Sequence, residues 1–322
     1  MAHRFYPQHT MSLLFSPITL QSPRGPLTLP NRIVVAPMCQ YACHLDGKAN
    51  DWHLMHWANL LNSGAGLFMI EATAVTAQGR ITPNCLGIWD DATAQALADT
   101  LARARRLAPP VPVCMQIAHS GRKGSSAQPW HGGMLIDKAH GGWETVAPSP
   151  INLLPGEQPP HEIDAAGLLE IEAAFVNAAK RAQAMGLEML ELHGAHGYLL
   201  HEFLSPIANQ RSDHYGGEFA NRARFPLQVF KAVREVFDGV LGMRLSASDW
   251  IEGGWPGASP KDSAFFQELR KRDWGKSKLI AFGSLARPRS SPSRDNGLRH
   301  LVEAGADGVC VFGKSWDLHV TK

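Results

Sequence analysis

The sequence predicts an α/β protein folded as a (β/α)8 TIM barrel, and three observations support this fold class. Short apolar runs recur along the chain with helical patterns between them, as in a parallel sheet covered by helices. Polar or small residues follow each apolar run, which is typical of strands that end at a pocket. No GxGxxG motif follows the first run, so a doubly wound sheet is the less favoured alternative.

The strands of the predicted barrel are the apolar runs of the chain. Their near-continuous apolarity indicates burial on both faces, which distinguishes them from the alternating strands of an antiparallel sheet. We predict strands at 32–38, 66–72, 111–117, 187–193 and 240–246.

Four segments between these runs carry helical periodicity. The longest has Leu168, Ile171 and Phe175 on one face and stops at Gly186, a residue type suited to a helix C-terminus. Pro226 predicts a bend in the last helix. We predict helices at 51–62, 91–107, 164–185 and 218–237.

The organisation of the chain predicts one domain that spans 1–322. Residues 1–12 are polar and form an N-terminal extension. Residues 120–160 are rich in glycine, proline and tryptophan and lack periodicity, so we predict a long loop after the third strand, over the mouth of the pocket. Residues 271–322 form an atypical C-terminal part.

The composition excludes several classes of function. The chain of 322 residues is 44% hydrophobic and has a formal net charge of +2, which is too small to indicate a nucleic-acid partner. No run reaches the roughly 18 apolar residues that a membrane span needs. The five cysteines are odd in number and lack CxxC spacing, so we expect reduced thiols, a cytoplasmic location and no metal site.

The most informative motif lies at the end of the fourth apolar run. His193, His196 and Tyr198 follow one another with only glycine and alanine between them. Small residues let the backbone approach a ligand, while imidazoles and a phenol can hold a polar oxygen and move a proton. We therefore predict a catalytic pocket here. A metal pair, helix-cap histidines and a core tyrosine are the alternatives that these residues leave open.

Further motifs occur along most of the chain, at 31–41, 70–75, 116–123, 193–200, 203–206, 213–217 and 244–250. In this order they resemble the old yellow enzyme flavoproteins, specifically the subclass with a cysteine near the flavin. The resemblance extends from about residue 13 to about residue 270.

The resemblance implies a TIM barrel that binds FMN at the carboxyl ends of its strands. It also implies that NADPH or NADH reduces the flavin, which then gives hydride to an activated alkene such as an enone. On this basis His193 and His196 bind the carbonyl oxygen of the substrate, and Tyr198 supplies a proton to the α-carbon.

The same resemblance assigns residues around the flavin. Cys39 is the thiol beside the flavin, and Tyr41 lines the substrate pocket. Gln116 and Arg244 contact the pyrimidine edge, although a structural ion pair is the alternative for an arginine in an apolar strand. The cofactor-binding residues expected before the C-terminal part are Ala36, Pro37, Met38, Cys39, Ala72, Gln116 and Arg244.

The resemblance ends after about residue 270. Two apolar runs, 279–283 and 308–313, predict strands in the places of the seventh and eighth, which leaves the barrel one strand short near its C-terminus. Gly283 and Gly313 then flank the FMN phosphate, and Lys314 takes the place of an arginine. We expect a barrel that lacks one strand to have reduced stability and to retain FMN weakly. The alternative to these two strands is that the C-terminal part is unrelated sequence.

Two other functions compete with the ene-reductase. The atypical C-terminal part favours a truncated, non-catalytic relative that has lost FMN affinity. A flavin-free barrel lyase with Lys123 as Schiff-base nucleophile is the second alternative, although no sequence feature indicates a lowered pKa for this lysine. The sequence leaves a homo-oligomer open and does not identify the physiological alkene or the preferred nicotinamide.

Overall fold

The structure is a computed structural model that describes residues 13–246, 249, 252–254, 280–284 and 308–312. Within these residues, five parallel strands form the main sheet, and six further strands form three separate pairs, two parallel and one antiparallel. Helices alternate with the strands along the chain, which confirms the predicted α/β class.

The predicted strands and helices occur in the predicted order. The strands are β1 (Ile18–Leu20), β2 (Leu27–Leu29), β3 (Val34–Val35), β4 (Leu67–Ala74), β5 (Val113–Ala118), β6 (Val146–Ala147), β7 (His161–Glu162), β8 (Met189–Gly194), β9 (Val240–Leu245), β10 (Ile280–Ser284) and β11 (Gly308–Phe312). The helices are α1 (Asp51–Leu61), α2 (Asp91–Arg105), α3 (Ala165–Ala184), α4 (Leu199–Leu204), α5 (Phe219–Arg222) and α6 (Arg224–Val236). The structure thus adds β1, β2, β6, β7 and α4, which were not predicted.

The main sheet has the strand order β3-β4-β5-β8-β9, and all neighbours are parallel. Its register places Gln116 of β5 opposite Glu191 of β8, and His193 opposite Arg244 of β9. Parallel strands have their carboxyl ends at one edge of the sheet, so the polar residues that end these strands gather there.

A β-bulge interrupts β4 beside this edge. Ile70 pairs with Met115, but the next pairs are Thr73 with Ile117, so β4 has one residue more than its partner strand. The extra residue lies at 71–72, where a bulge changes the direction of the following side chains.

The core lies between the sheet and its helices. Leu190 and Leu192 of β8 are fully buried and belong to the same apolar cluster as Phe175 and Ala178 of α3. The side chain of Asp164 caps the start of α3, and Gly186 beyond its end has a φ of +71°, as predicted for the stop of this helix.

The segment around Pro226 differs in detail from the prediction. Instead of one bent helix, α5 ends at Arg222 and α6 begins at Arg224, so the break precedes the proline. Pro226 has no N–H to donate to the carbonyl of Arg222 four residues earlier, and it is tolerated in the first turn of α6.

The predicted long loop connects β5 to α3. It contains short 3-10 turns at Gly121–Lys123, Pro129–His131 and Lys138–His140, and the short parallel pair of β6 and β7. The loop therefore has internal hydrogen bonding despite its lack of sequence periodicity.

The two strands predicted in the C-terminal part are confirmed. β10 and β11 pair in parallel, with Ile280 opposite Gly308, and Gly283 lies within β10. Gly313 and Lys314 lie outside the described residues, as does the predicted extension at 1–12.

Candidate active site

The candidate site lies at the carboxyl ends of β3, β4, β5, β8 and β9. The chain leaves β8 at Gly194 and brings His193, His196 and Tyr198 together. The ring centroid of His193 is 5.0 Å from that of His196 and 4.9 Å from that of Tyr198, and both contacts are edge-on. The three residues that sequence reasoning singled out therefore form one cluster.

Hydrogen bonds assign the protons of the two imidazoles. Nδ1 of His193 accepts from the backbone N–H of Ala195 at 3.2 Å, so the proton of this ring is on Nε2. That Nε2 lies 3.3 Å from Nδ1 of His196, which acts as acceptor and leaves the His196 proton on its own Nε2. Each ring thus carries one N–H donor.

Both imidazoles are neutral at physiological pH. Burial holds the pKa of His193 well below its usual value, and the charges of His196 and Arg244 act in the same direction. Burial lowers the pKa of His196 to about 4, with further contributions from Arg244 and Lys123. The Nε2–H of His196 therefore remains available to a ligand oxygen, whereas that of His193 is directed at His196.

The phenol of Tyr198 is also neutral. Burial raises its pKa, and the nearby thiols of Cys39 and Cys85 add to the effect. The Tyr198 hydroxyl therefore retains a proton that it can donate beside His193.

The turn that carries His196 has an unusual backbone. His196 has a φ of +59° and Gly197 has a φ of +71°, both in the left-handed region. The N–H of His196 donates to Oγ of Ser246 at 2.9 Å, and the N–H of Gly197 donates to Nδ1 of His201 at 2.8 Å. Neighbouring side chains therefore hold a conformation that a non-glycine residue rarely adopts.

A second layer of polar groups fixes His201. Its Nε2 lies 3.2 Å from Oδ1 of Asp249, and Oδ2 of the same carboxylate accepts from Oγ of Ser205 at 2.7 Å. The imidazole and the carboxylate are only 6% and 8% exposed. Sequence reasoning missed both residues, although Asp249 lies inside a motif that the family resemblance used and His201 directly follows one.

Lys123 supports the same turn from the other side. Its Nζ donates to the backbone carbonyl of His196 at 2.7 Å and lies 5.9 Å from the ring centroid of Tyr198. Burial lowers the pKa of Lys123, contrary to the expectation from sequence, while Glu202 acts against this shift. The amine is engaged by a backbone carbonyl rather than held as an isolated nucleophile.

Glu202 is a buried carboxyl group that the sequence did not indicate. It is 1% exposed, and its Oε1 accepts from the backbone N–H of Arg122 at 2.9 Å. Burial raises its pKa to about 8, and the Arg122 charge opposes the shift. Gly121 is required here, because a Cβ at this position would lie 2.4 Å from Oε1 of Glu202.

The segment after β3 carries Cys39 and Tyr41. Cys39 is half-buried, and burial together with Glu71 raises the pKa of its thiol well above the usual value. Tyr41 has a φ of +51°, and burial raises its pKa, with Cys39 and Tyr198 as electrostatic neighbours. These neighbours place Tyr41 at the same cluster as Tyr198.

Glu71, which lies in β4, anchors the segment that carries Cys39 and Tyr41 to the sheet. It is 3% exposed at the β4 bulge, and its Oε2 accepts from the backbone N–H of Gln40 at 2.8 Å. Its Oε1 lies 3.8 Å from Nε2 of the buried His53. Burial raises the pKa of Glu71 to about 8, opposed by the Gln40 amide.

The residues predicted to meet the flavin ring lie at the same edge. Gln116 is 1% exposed, and its Nε2 donates to Oε1 of Glu191 at 2.6 Å. Burial raises the pKa of Glu191, while Gln116 and the Arg244 charge act against it, so Arg244 lies close to that carboxylate. The remaining predicted residues are the buried Ala72 in β4 and Ala36, Pro37 and Met38 directly after β3.

The described residues offer neither a metal-binding cluster nor a membrane-spanning helix. No cluster of three or more histidine, cysteine or carboxylate side chains there could hold a metal ion. None of the helices in these residues is long and apolar enough to span a membrane.

Comparison with protein families gives one match that covers most of the chain. A profile of the NADH:flavin oxidoreductase / NADH oxidase family matches residues 13–296. Among curated relatives, an NADH:flavin oxidoreductase of Gibberella zeae is 42% identical over 245 residues, which are 74% of this chain and 58% of that protein. An NADPH dehydrogenase of Geobacillus sp. is 41% identical over 244 residues, or 76% of this chain and 66% of the relative. The chain thus spans less than two thirds of the length of these relatives.

Solved structures of similar fold were also found. A morphinone reductase in complex with tetrahydroNAD superposes with a TM-score of 0.72 at 25% identity, covering 94% of this chain and 86% of that chain. An Old Yellow Enzyme from Pichia sp. gives a TM-score of 0.71 at 24% identity over 93% and 82% of the two chains. These likenesses show the TIM-barrel fold that the sequence predicts.

Proposed function

Since the chain belongs to the NADH:flavin oxidoreductase / NADH oxidase family, we propose that it is an FMN-dependent NAD(P)H oxidoreductase that reduces activated C=C bonds. Its substrates are α,β-unsaturated carbonyl compounds. The observation that supports this proposal most is the cluster of two neutral imidazoles and a protonated phenol at the end of β8.

The residues at the strand ends fit FMN. When bound, FMN supplies the hydride that it has received from NAD(P)H. Gln116 and Arg244 present an amide and a guanidinium, which match the carbonyls and the ring nitrogen of a flavin's pyrimidine edge. Ala72, at the β4 bulge, is small enough for a planar ring to lie against the backbone.

Cys39 would border this ring, and the main chain of Ala36, Pro37 and Met38 would contact it. Gly283 would help to hold the phosphate, and Gly313 and Lys314, proposed for the same role, lie outside the described residues. This set combines small residues with a few polar groups, as expected for a planar cofactor with one anionic end.

The two imidazoles hold the carbonyl oxygen of the alkene. Charge accumulates on this oxygen as the β-carbon accepts hydride, so fixed N–H donors stabilise the transition state more than the ground state. His196 can donate its Nε2–H to this oxygen, and the Nε2–H of His193, which is directed at Nδ1 of His196, can be shared with it, in both cases without a change of protonation state.

Tyr198 delivers the second hydrogen as a proton to the α-carbon. Its ring lies edge-on to that of His193 with the centroids 4.9 Å apart, so an oxygen bound by the imidazole brings the neighbouring carbons close to the phenol. The raised pKa keeps this proton in place across the physiological range until a basic enolate carbon accepts it. Tyr41 lines the same pocket.

The free thiols Cys39, Cys43, Cys85 and Cys114 agree with a reducing compartment, so we place the enzyme in the cytoplasm.

Anaerobic absorbance spectroscopy tests the proposed function. The purified protein should show a flavin spectrum, lose it on addition of NADPH and regain it on addition of 2-cyclohexen-1-one. A colourless protein whose fluorescence titration shows no FMN binding would support the non-catalytic relative instead. If NADPH reduces the bound flavin but no alkene reoxidises it, the function would be restricted to the oxidation of NADPH by the flavin.

A further inference from the structure

We propose that Trp130 determines substrate size by narrowing the pocket mouth beside Tyr41, and this inference rests on the proposed function. The indole restricts the site to compact activated alkenes, on the scale of one unsubstituted six-membered ring. Trp130 lies in the long loop, outside the motifs that carry the family resemblance.

A hairpin in the long loop carries Trp130 to the site. The backbone N–H of Ala127 donates to the carbonyl of Met134 at 2.8 Å, and Ser126 forms an antiparallel bridge with Leu135. Trp130 lies in the helical turn at the tip of this hairpin. We call residues 125–136 the Trp130 hairpin.

The tip of the hairpin meets Tyr41 directly. The ring centroids of Trp130 and Tyr41 are 5.9 Å apart, with an interplanar angle of 67°. Such an edge-on contact is a favoured geometry for aromatic pairs. Trp130 remains 51% exposed, which places the indole at the rim of the site rather than in the core.

A second set of contacts fixes the hairpin independently of the ring pair. Gln128 donates from Nε2 to Oδ1 of Asn84. Asn84 in turn donates from Nδ2 to the carbonyl of Cys43 at 2.6 Å and accepts from the Cys43 N–H at 3.0 Å. The loop that contains Tyr41 and the hairpin that contains Trp130 are thus joined at two places.

The position of Tyr41 connects this contact to the reacting groups. The Tyr41 phenol hydrogen-bonds the Cys39 thiol and has Tyr198 as an electrostatic neighbour, so it adjoins the candidate site as well as the indole. Removing the indole therefore enlarges the mouth and releases Tyr41, whose left-handed backbone conformation needs support from its surroundings.

The test compares two substrates in the FMN-loaded enzyme, 2-cyclohexen-1-one and 4-phenylcyclohex-2-en-1-one. We expect Trp130→Ala to raise the kcat/KM ratio of the bulky to the small enone at least tenfold, mainly through KM. Trp130→Phe should give a smaller shift. Gln128→Ala, which releases the hairpin from Asn84, should change the ratio in the same direction even if Trp130→Ala does not fold.

Trp143→Phe is the matched control from the same loop. The Trp143 indole donates to the carbonyl of Gln78 at 2.8 Å and its ring lies 4.8 Å from the Arg80 guanidinium. The kcat/KM ratio of the bulky to the small enone in Trp143→Phe should equal that of the wild type. A ratio within twofold of the wild type in both Trp130 variants and in Gln128→Ala would overturn the inference.

Binding of the saturated ketones separates this inference from the proposed function. Calorimetry with cyclohexanone and 4-phenylcyclohexanone measures discrimination by size without any turnover. If no variant reduces an alkene, the proposed function fails, whereas the ratio of the two dissociation constants still decides the role of Trp130. If Trp130→Ala leaves the ratio of the two dissociation constants unchanged, the proposed role of Trp130 is contradicted.

Discussion

The backbone N–H of Gly197 donates a 2.8 Å hydrogen bond to Nδ1 of His201, and this bond holds the turn that presents His196. We predict that His201→Ala lowers kcat/KM for cyclohexenone about tenfold, since a barrier higher by about 1.4 kcal/mol corresponds to that factor. His201→Asn, whose Oδ1 takes the place of Nδ1 and can accept the same bond, should recover most of the activity. Steady-state kinetics on samples of equal flavin content check this, and equal losses in both variants would argue against a positioning role.

Lys123 offers a test of the lyase alternative. Because its Nζ donates to the carbonyl of His196 at 2.7 Å, we expect Lys123→Met to raise KM several-fold while alkene reduction persists. Borohydride treatment with a carbonyl substrate should give no covalent adduct by mass spectrometry. A reduced adduct on Lys123 would support Schiff-base chemistry.

The buried carboxyl of Glu202 predicts a pH dependence of stability. Its pKa is raised to about 8, so between an unfolded pKa near 4.5 and 8 the native state binds a proton that the unfolded state lacks. The stabilisation is complete below pH 4.5 and is lost as pH rises through 8. One pKa unit corresponds to about 1.4 kcal/mol, so we expect a contribution of about 2 kcal/mol to disappear between pH 6 and 7.5.

Glu202→Gln should remove this part of the pH dependence. Urea unfolding at pH 6 and pH 7.5 measures the difference, and Glu235→Gln, at an exposed position, is the control. The same slope in Glu202→Gln and in the wild type would show that the carboxyl is already ionised at pH 6.

The thiol of Cys39 predicts slow alkylation near neutral pH. Burial and Glu71 raise its pKa, so little thiolate is present at pH 7.5 and the rate should still be increasing at pH 9. Iodoacetamide labelling followed by peptide mapping gives the rate at Cys39. A rate that levels off below pH 8 would mean that the site stabilises the thiolate.

Sequence reasoning located the reacting groups because they follow apolar runs. His193 and Tyr198 end or follow a buried strand, which predicted a pocket at that strand end, whereas the roles of these residues and of Gln116 came from the family resemblance. The strand bounds were less accurate at β3, where only Val34 and Val35 pair in the sheet although the apolar run is longer. The length of a strand depends on which of its residues pair with the neighbouring strand, and a single apolar run does not reveal that pairing.

The groups that support the site were not predictable in the same way. His201, Glu71 and Trp130 act through contacts to residues far along the chain, or through a turn whose hydrogen bonds have no period. The lowered pKa of Lys123 was also not predictable from the sequence, because it comes from burial that only the folded loop creates. Such long-range contacts depend on the topology of the fold rather than on local pattern.

Rapid mixing of the reduced flavoprotein with 2-cyclohexen-1-one tests the central claim most directly. We predict that the double variant His193→Ala/His196→Ala still binds FMN but reoxidises with the enone at least about 10³-fold more slowly than the wild type, because no donor is left for the developing oxyanion. Reoxidation by the enone at the wild-type rate in that variant would contradict the account.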